Sequence, residues 1–251
     1  MASEDDHRLA RELAGAAGQL LLELRTAMVG DGITGRDLGA RGDDAAHLML
    51  LERLTAERPA DAVLSEEATQ DERADLTRLD AERVWIIDPL DGTREYGEER
   101  SDWAVHVALV EDHVPTAGAV ALPGLGLVLA TDDPPALPPA AEPPRVVVSR
   151  TRPPAEAEAV AAALGAELVP MGSAGAKAMA VVRGEAELYP HSGGQYEWDS
   201  CAPVAVALAA GLHCSRLDGS TLRYNQADVY LPDLLICRPE LADAALAAAR
   251  I

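Results

Sequence analysis

The sequence predicts a layered α/β protein, and three observations lead to that prediction. Two helical patterns open the chain, at residues 7–29 and 45–57, with apolar residues at helical spacing. Three short β-branched runs follow within residues 103–131, separated by hairpin-like turns, and they indicate an antiparallel meander. Strand and helix patterns then alternate over residues 145–250, which is typical of a layered α/β fold.

The first half of the chain contains further predicted elements. Residues 33–42 are polar and glycine-bearing, and we expect a mobile loop there, with Asp43-Asp44 at the start of the second helix. The apolar run at residues 84–87 predicts a buried strand. Between them we predict a short strand at residues 61–67 and a short charged helix at residues 71–82.

A proline-rich connector divides the chain. Residues 132–144 contain six prolines and little that could pack, so we place a subdomain boundary there. We expect an N-terminal subdomain at residues 1–135 and a C-terminal α/β subdomain at residues 143–251. In the second subdomain the predicted strands are residues 145–149, 167–170, 186–189 and 234–237, and the predicted helices are residues 154–164, 174–183, 199–210 and 241–250.

Composition and charge argue against several classes of protein. The 251 residues are 48% hydrophobic, as in a globular protein, but no run of about 18 apolar residues predicts a membrane span. The net charge of −21 argues against binding to nucleic acid polymers or anionic membranes, which requires basic patches. The acidic first residues differ from a signal peptide, and three widely spaced cysteines indicate reduced thiols. We therefore expect a cytoplasmic protein.

The stretch that carries most chemistry is Asp88-Pro89-Leu90-Asp91-Gly92-Thr93, directly after the buried apolar run. Two carboxylates three residues apart precede a glycine and a threonine that can begin a helix, whose free N–H groups suit an anion. This arrangement is useful if divalent cations lie between the carboxylates and a phosphate. The alternative is an ordinary tight turn, since Asp-Pro and Asp-Gly both favour turns.

Three other acids end predicted elements in the same way: Asp43, Glu66 and Asp199. Taken singly, Asp43 and Asp199 could be helix N-caps and Glu66 a solvated strand end. Taken together, a cluster of buried carboxylates is costly unless cations compensate it. Oxygen-only ligands favour Mg²⁺, whereas zinc would require histidine or cysteine at ligand spacing.

These motifs, with Ser65-Glu66-Glu67 upstream and Trp198-Asp199-Ser200-Cys201-Ala202-Pro203 downstream, resemble the inositol monophosphatase superfamily. The resemblance extends from Asp43 to about Tyr224. It implies an αβαβα sandwich of the inositol monophosphatase and sugar phosphatase type, with Mg²⁺-dependent, lithium-sensitive phosphomonoesterase activity. Two to three ions are implied, the active site lying in a cleft between the subdomains.

Residue roles follow from the resemblance. Glu66, Asp88 and the Leu90 carbonyl would hold one ion. Asp88, Asp91 and Asp199 would hold a second ion, and Glu66 together with water would hold a third. Asp43 and Thr93 would orient and deprotonate the attacking water. The N–H groups of Gly92 and Thr93 would bind phosphate oxygens. The implied substrate-binding residues are Glu66, Leu90, Asp91, Gly92, Thr93, Arg152, Ser173, Lys177 and Asp199.

Further details favour one branch of the family. Gly172-Ser173-Ala174-Gly175-Ala176-Lys177, Ser149-Arg150 and Cys-Ala-Pro after Asp199 resemble the CysQ-type 3′(2′),5′-bisphosphate nucleotidases. The implied reaction is hydrolysis of 3′-phosphoadenosine 5′-phosphate, and also of 3′-phosphoadenylyl sulfate, in sulfate assimilation. Lys177 would supply a charge for the second phosphate, unless it is a solvated helix lysine. Arg150, Arg152 and Arg223 are candidates for other groups of the nucleotide.

Alternatives remain. Residues 33–42 lack the lysine–aspartate pattern of some relatives, and Ser192-Gly193-Gly194 stands where inositol enzymes carry a substrate-binding glutamate. Inositol 1-phosphate or fructose 1,6-bisphosphate hydrolysis is a sister activity on the same scaffold, and a catalytically silent metal-binding regulator is a hypothesis of another class. Haloacid dehalogenase-type phosphatases are excluded because Pro89 stands where their nucleophilic aspartate would be. A small-molecule phosphate is the expected partner, and the oligomeric state is left open, a homodimer included.

Overall fold

A computed structural model describes residues 1–69 and 76–250. Its helices are α1 (Glu4–Gly30), α2 (Gly35–Glu57), α3 (Thr93–Gly97), α4 (Ala155–Leu164), α5 (Ala174–Val182), α6 (Glu197–Ala209) and α7 (Ala242–Ala248). Its strands are β1 (Ala62–Ser65), β2 (Arg83–Asp91), β3 (Ala104–Glu111), β4 (Val114–Leu122), β5 (Leu127–Ala130), β6 (Arg145–Ser149), β7 (Glu167–Met171), β8 (Leu188–Tyr196), β9 (His213–Ser215) and β10 (Tyr230–Cys237). Short 3₁₀ turns occupy Leu76–Asp80, Pro123–Leu125 and Pro239–Leu241.

Within the described residues these strands form two sheets of five. The first has the order β1-β2-β3-β4-β5, in which β1 runs parallel to β2 and the remaining pairs are antiparallel, so the predicted meander is confirmed. The second has the order β7-β6-β8-β10-β9, in which β6 runs parallel to both β7 and β8. The carboxyl ends of β7, β6 and β8 therefore meet at one edge.

Three apolar cores separate the layers. Along β2, Trp85 and Ile87 pack against α1 and α2, whereas Val84 and Ile86 point to the opposite face and pack against α5 and α6. This alternation is the period of two that a strand imposes on its side chains. The outer face of the second sheet packs against α4 and α7. The order of layers is thus helices, sheet, helices, sheet, helices, and the predicted αβαβα class is confirmed.

The predicted loop at residues 33–42 is wrong. Helix α2 begins at Gly35, so Asp43 lies inside the helix and is not its N-cap. Tertiary packing overrides the weak local pattern here: Leu38, Gly39 and Gly42 are buried, and the glycines allow the helix to approach α3 closely. Of the helix predicted over residues 71–82, residues 71–75 lie outside the described residues, and residues 76–80 form a 3₁₀ turn.

The second half follows the predicted alternation, with two differences. Strand β8 extends past the predicted residue 189 to Tyr196 and passes through Gly193-Gly194, and β9 has no counterpart among the predicted strands. Residues 132–144 contain neither helix nor strand, yet the core between the two sheets draws on both halves of the chain. The division into two subdomains stays a prediction. None of the described helices is long and apolar enough to cross a membrane.

The first turn of α1 is anchored by a charged group inside the protein. The Asp6 carboxylate, whose side chain is 4% exposed, accepts hydrogen bonds from Arg58 Nε at 3.0 Å and from Arg83 Nη2 at 2.8 Å. It also closes a capping box with Ser3. Burial alone would raise the pKa of Asp6, but Arg83, Ser3 and Arg58 together hold it well below its usual range. The ionised form is therefore the form that stabilises the fold.

We expect Asp6→Asn to lower the free energy of unfolding at pH 7 by about 2–3 kcal/mol, because Arg58 and Arg83 both lose this buried carboxylate, although Arg83 keeps its ion pairs with Asp61 and Glu111. The depressed pKa means that this contribution exists above the ordinary aspartate pKa near 4 and fades as the pH falls below it. Urea unfolding at pH 7 and pH 3 measures the difference. Asp5→Asn is the matched control: Asp5 is exposed and, within residues 1–69 and 76–250, pairs with the equally exposed Arg8 alone, so its loss should cost under about 0.5 kcal/mol. An equal deficit for Asp6→Asn at both pH values would indicate lost packing instead of lost charge.

Candidate metal centre and active site

The candidate site lies where β2 ends. Asp88 is paired with His106 of β3 and Asp91 with Ala104, with an irregular register between the two acids. The irregularity turns both carboxylates toward one side, and the N–H of Leu90 donates to Asp88 Oδ1 at 3.1 Å. The buried strand predicted at residues 84–87 therefore continues through both acids.

The structure brings the predicted acids together. Oxygen atoms of Asp88, Asp91 and Asp199 lie within 4.8 Å of one another. Asp199 comes from the third residue of α6, where its Oδ2 accepts the N–H of Tyr196 at 2.6 Å, so the N-cap interpretation is wrong. Glu66 follows β1 and shares a hydrogen bond with Asp88. Four carboxylates thus converge from three separate segments.

Burial makes this cluster unfavourable to ionise without cations. Burial, followed by the charges of Glu66, Asp91 and Asp199, raises the pKa of Asp88 well above its usual range. Burial and neighbouring carboxylates also raise the pKa of Glu66 to about 7 and that of Asp199 to about 6. The donor set is entirely oxygen, as hard divalent cations prefer. The residues therefore fit a metal centre that would restore ionisation of the carboxylates.

Asp91 is the exception, because it is held as an anion. Burial acts to raise its pKa, but the contact with the His106 ring and hydrogen bonds from Gly175 and Ser173 lower it to about 2. Ser173 Oγ donates to Asp91 Oδ2 at 2.7 Å, the N–H of Gly175 to the same oxygen at 2.5 Å, and the N–H of Ala174 to Oδ1 at 3.1 Å. The start of α5 therefore orients one ligand of the candidate metal centre. The family resemblance implies that Ser173 binds substrate, and its hydroxyl is here engaged by Asp91.

His106 is a residue that sequence analysis missed. Its ring is fully buried, with Nδ1 at 3.0 Å from the Trp198 carbonyl and Nε2 at 3.3 Å from Asp91 Oδ2. Both ring nitrogens face oxygen acceptors, so the ring links α6 to Asp91. A lone histidine in an apolar strand carries no sequence signal for this position. A Cβ at Gly175 would lie 2.1 Å from His106 Nε2, so the glycine allows α5 to approach the ring.

Lys177 differs from a solvated helix lysine, which was the alternative interpretation. Its side chain is buried, and its ammonium donates to the carbonyls of Gly172 at 3.0 Å and Ser173 at 2.5 Å. Burial lowers its pKa, while the charges of Asp91 and other nearby acids act in the opposite direction. In this arrangement the lysine stabilises the turn that delivers Ser173 to Asp91. Its contact with a second phosphate stays a prediction.

Asp43 and Thr93 meet across the interface between α2 and α3. A Cβ at Gly39 would lie 2.7 Å from Thr93 Cγ2, so this glycine lets α2 lie directly on the threonine. Burial raises the pKa of Asp43 to about 8, although the nearby Thr93 hydroxyl acts to lower it. Asp43 Oδ1 is buried and has no hydrogen-bond partner among the described residues, and the Thr93 hydroxyl donates to the Leu90 carbonyl at 3.2 Å. The Asp43 oxygen, which lacks a partner among the described residues and lies near the Thr93 hydroxyl, is a suitable acceptor for a bound water.

The three candidate arginines have different surroundings. Arg150 donates to Glu95 at 2.7 Å and to Asp102 at 2.9 Å, so both carboxylates already balance its charge. Arg152 is exposed, two residues further along the same loop. Arg223 is not brought to the site: its neighbour Tyr224 bonds to the carbonyl of His113, at the hairpin between β3 and β4. That hairpin is at the end of β3 opposite to the residues that pair with Asp88 and Asp91.

Comparisons with known proteins agree with this geometry. The sequence model of the inositol monophosphatase family matches residues 4–250. A 3′-phosphoadenosine 5′-phosphate phosphatase of Mycobacterium leprae (strain TN) is 51% identical over 259 residues, covering 98% of this chain and 93% of that protein. A 3′(2′),5′-bisphosphate nucleotidase CysQ of Escherichia coli (strain K12) is 30% identical, covering 88% and 94%. The crystal structure of CysQ from Bacteroides thetaiotaomicron superimposes with a TM-score of 0.78 at 26% identity, covering 94% and 97%.

We expect Asp88→Asn to raise the melting temperature of the metal-free protein at pH 7.5, because it removes one carboxylate from a buried like-charge cluster. A gain of about 1 kcal/mol corresponds to roughly 2–4 °C in a chain of this size. Mg²⁺ should raise the melting temperature of the wild type but not that of the variant.

Asp112→Asn is the matched control, since Asp112 is exposed and has a positive φ of 47°, which asparagine tolerates. This substitution should give the same melting temperature as the wild type, both without metal and with Mg²⁺. A variant of Asp88 that melts lower without metal and still responds to Mg²⁺ would make Asp88 a structural residue.

Proposed function

The chain belongs to the inositol monophosphatase family, and we propose that it is a Mg²⁺-dependent phosphomonoesterase that converts 3′-phosphoadenosine 5′-phosphate to AMP and phosphate. The observation that carries the proposal is the convergence of four carboxylates beside the Asp43–Thr93 pair. The activities for which the mycobacterial and enterobacterial relatives are named support the choice of substrate. Removal of the 3′-phosphate of 3′-phosphoadenylyl sulfate, in sulfate assimilation, belongs to the same proposal.

We assign the metal ligands as the sequence predicts them. The family is metal-dependent. Two to three Mg²⁺ ions would be held by Glu66, Asp88, the Leu90 carbonyl, Asp91 and Asp199. Bound Mg²⁺ would lower the pKa of water and neutralise charge on the phosphate and its leaving oxygen. Asp91 enters this set already ionised and oriented by the start of α5, whereas the other carboxylates require the cations to ionise fully.

Asp43 and Thr93 are the residues to which we assign proton transfer from the attacking water. Asp43 Oδ1 has no hydrogen-bond partner among the described residues, so it can accept one. With its pKa raised to about 8 the group is mostly protonated near neutral pH in the metal-free protein, and it can receive a proton once nearby cations favour the carboxylate form. Thr93 lies between this carboxylate and the Leu90 carbonyl. We propose that the threonine hydroxyl orients the attacking water and relays its proton to Asp43. The N–H groups of Gly92 and Thr93 would bind the phosphate oxygens, with Gly92 held in a left-handed turn at φ 94°.

The test of the proposed function is phosphate release from three substrates: 3′-phosphoadenosine 5′-phosphate, inositol 1-phosphate and fructose 1,6-bisphosphate. We expect kcat/KM for the nucleotide to be greater by about a hundredfold or more, which is roughly 3 kcal/mol of selective transition-state binding. Release should require Mg²⁺ and be inhibited by Li⁺. Comparable rates for all three would indicate a general phosphatase on this scaffold. No release from any of them would overturn the enzyme proposal in favour of a silent metal-binding regulator.

Thr93→Ala should lower kcat by about a hundredfold or more while the Mg²⁺-induced rise in melting temperature persists, because the hydroxyl orients water and is not a metal ligand. Thr93→Ser keeps the hydroxyl and should retain most of the activity. Stopped phosphate assays and thermal melts with and without Mg²⁺ measure the two effects. A parallel loss of turnover and metal response in Thr93→Ala would assign Thr93 to the structure of the metal centre.

A further inference from the structure

Helix α6 carries Asp199, and each of its first four residues is bonded to another segment of the chain. The Trp198 carbonyl lies against the His106 ring, and the Asp199 carboxylate accepts a backbone N–H. Glu197 and Ser200, on either side of this pair, are completely buried and contact a loop near residue 225. The position of Asp199 therefore depends on more than its own hydrogen bonds.

Glu197 binds the loop at residues 225–226 with both of its carboxylate oxygens. Its Oε2 accepts the N–H of Asn225 at 2.6 Å, and its Oε1 accepts the N–H of Gln226 at 2.7 Å. The N–H of Glu197 in turn donates to the Val229 carbonyl at 2.9 Å. Hydrogen bonds from N–H groups to a buried carboxylate are among the strong ones in proteins. The start of α6 is therefore held firmly against this loop.

Arg78 binds the same loop. Its Nη1 donates to Asn225 Oδ1 at 2.6 Å and its Nη2 to the Gln226 carbonyl at 2.8 Å, while Asn225 Nδ2 donates to the Arg78 carbonyl at 3.2 Å. Burial lowers the pKa of Arg78, and the charge of Glu197 acts to raise it, so the buried cation and the buried anion attract each other. Because Arg78 lies in the 3₁₀ turn before β2, the loop connects α6 to the segment that leads into β2.

Tyr224 makes a second connection between α6 and the first sheet. Its hydroxyl lies 3.2 Å from Ser200 Oγ, and its carbonyl accepts Gln226 Nε2 at 2.9 Å. Its N–H donates at 3.0 Å to the carbonyl of His113, in the hairpin between β3 and β4. Both strands belong to the same sheet as β2. The loop at residues 224–226 thus joins the start of α6 to this sheet by two routes.

The candidate metal centre needs such a connection because its acids come from different elements. Asp88 and Asp91 lie on β2 and Asp199 on α6, yet their oxygen atoms lie within 4.8 Å of one another. Burial and mutual repulsion disfavour ionised carboxylates at this separation unless cations are present. Support from behind a metal ligand commonly changes metal affinity by roughly ten- to one-hundredfold.

We propose that the network of Glu197, Asn225 and Arg78 positions Asp199 for metal binding, so that residues outside the metal centre determine its affinity for divalent cations. The three are positioning residues, because none of them is a candidate metal ligand. The inference rests on the metal ligands of the proposed function and deepens it by assigning what holds one of them in place. It does not depend on which phosphate ester is hydrolysed.

Asn225→Gly tests the network without changing the net charge, because it removes only the side chain that Arg78 binds. Glycine adopts the left-handed backbone at this position, where φ is 55°. Calorimetric titration of the metal-free protein with Mg²⁺ should give a Kd about three- to tenfold above that of the wild type, with a smaller Mg²⁺-induced rise in melting temperature. Asn225→Asp keeps Oδ1 and tolerates the same backbone, so its Kd should stay within about twofold of the wild-type value.

Asp112→Gly is the matched control for Asn225→Gly. Asp112 is exposed and also has a positive φ, of 47°, so the two variants introduce the same residue in the same backbone region. The Kd for Mg²⁺ in Asp112→Gly should equal that of the wild type.

Glu197→Gln is the stronger change, because an amide nitrogen cannot accept the N–H of Asn225 or Gln226. Burial raises the pKa of Glu197 to about 7, so all titrations are made at pH 8.5, where the wild-type carboxylate is ionised. The Kd for Mg²⁺ should rise about tenfold or more. The Mg²⁺ concentration for half-maximal phosphate release should rise in parallel, while kcat at saturating Mg²⁺ changes less than about threefold, because the ligands themselves are intact.

Glu187→Gln is the matched control for Glu197→Gln. Glu187 is also completely buried and accepts backbone N–H groups, from Ala141 at 3.0 Å and from Arg145 at 2.8 Å, and it forms an ion pair with Arg145. Arg145 begins β6, at the end of that strand opposite to the carboxyl end. The control should therefore lower the melting temperature without changing the Kd for Mg²⁺.

The outcomes separate this inference from the proposed function. Weaker Mg²⁺ binding in Asn225→Gly and Glu197→Gln, in a protein that releases no phosphate, would overturn the proposed function and support the inference. A wild type that binds no Mg²⁺ would overturn both. An unchanged Kd in Asn225→Gly, or an equal loss of affinity in Glu187→Gln, would overturn the inference alone, because the network would then serve general stability. If Glu197→Gln does not fold, Asn225→Gly decides the question.

Discussion

The structure depends on one unfavourable feature: a cluster of carboxylates that water solvates poorly, because Asp88 and Asp91 are buried and Glu66 and Asp199 are half-buried. Asp88 is 1% exposed, and its nearest acidic neighbours raise its pKa further beyond what burial does. Such a cluster destabilises a fold unless cations or hydrogen bonds offset it. Here only Asp91 receives enough hydrogen bonds to stay ionised on its own. The remaining acids would ionise fully only beside the positive charge of bound metal ions. The free energy of unfolding and the metal affinity therefore depend on the same residues.

The surrounding elements are arranged to hold these acids in place. Asp91 is oriented by the start of α5. Lys177 stabilises this segment because its ammonium donates to the carbonyls of Gly172 and Ser173. His106 connects the same carboxylate to the α6 backbone, and Asp199 is oriented by the N–H of Tyr196. These supports come from both sheets and from the helices between them. A metal centre built this way would require the layered architecture, because its candidate ligands come from β2, from the segment after β1 and from α6.

Sequence analysis predicted the parts of this site that are local along the chain. The strand that ends at Asp88 and Asp91, the meander and the later alternation of strands and helices all have direct patterns, and the fold class and family are confirmed. The sequence predictions were wrong or incomplete where tertiary packing, and not the local pattern, determines the structure. Residues 35–42 carry three glycines and little periodicity, yet they are helical because Gly39 and Gly42 fit against Thr93, Tyr96 and Leu90. The role of His106 depends on contacts between distant segments, for which one sequence contains no signal. Lys177 binds carbonyls only four and five residues before it, but its burial is decided by tertiary packing.

The net charge of −21 would repel an anionic substrate if it acted uniformly, but its effect at the site is local. At physiological ionic strength, exposed charges are largely screened beyond about 8 Å, so the groups lining the site matter most. Four carboxylates carry four negative charges when ionised, which two divalent cations would balance. Beside them Arg150 and Arg100 form a charge-balanced group with Glu95 and Asp102. Arg150 also connects the loop after β6 to α3 and to the segment that follows α3. Arg152, exposed on the same loop, has no ion pair among the described residues. A bound phosphate would therefore respond mainly to the few charged residues at these strand ends, because most of the acidic surface lies beyond the screening distance.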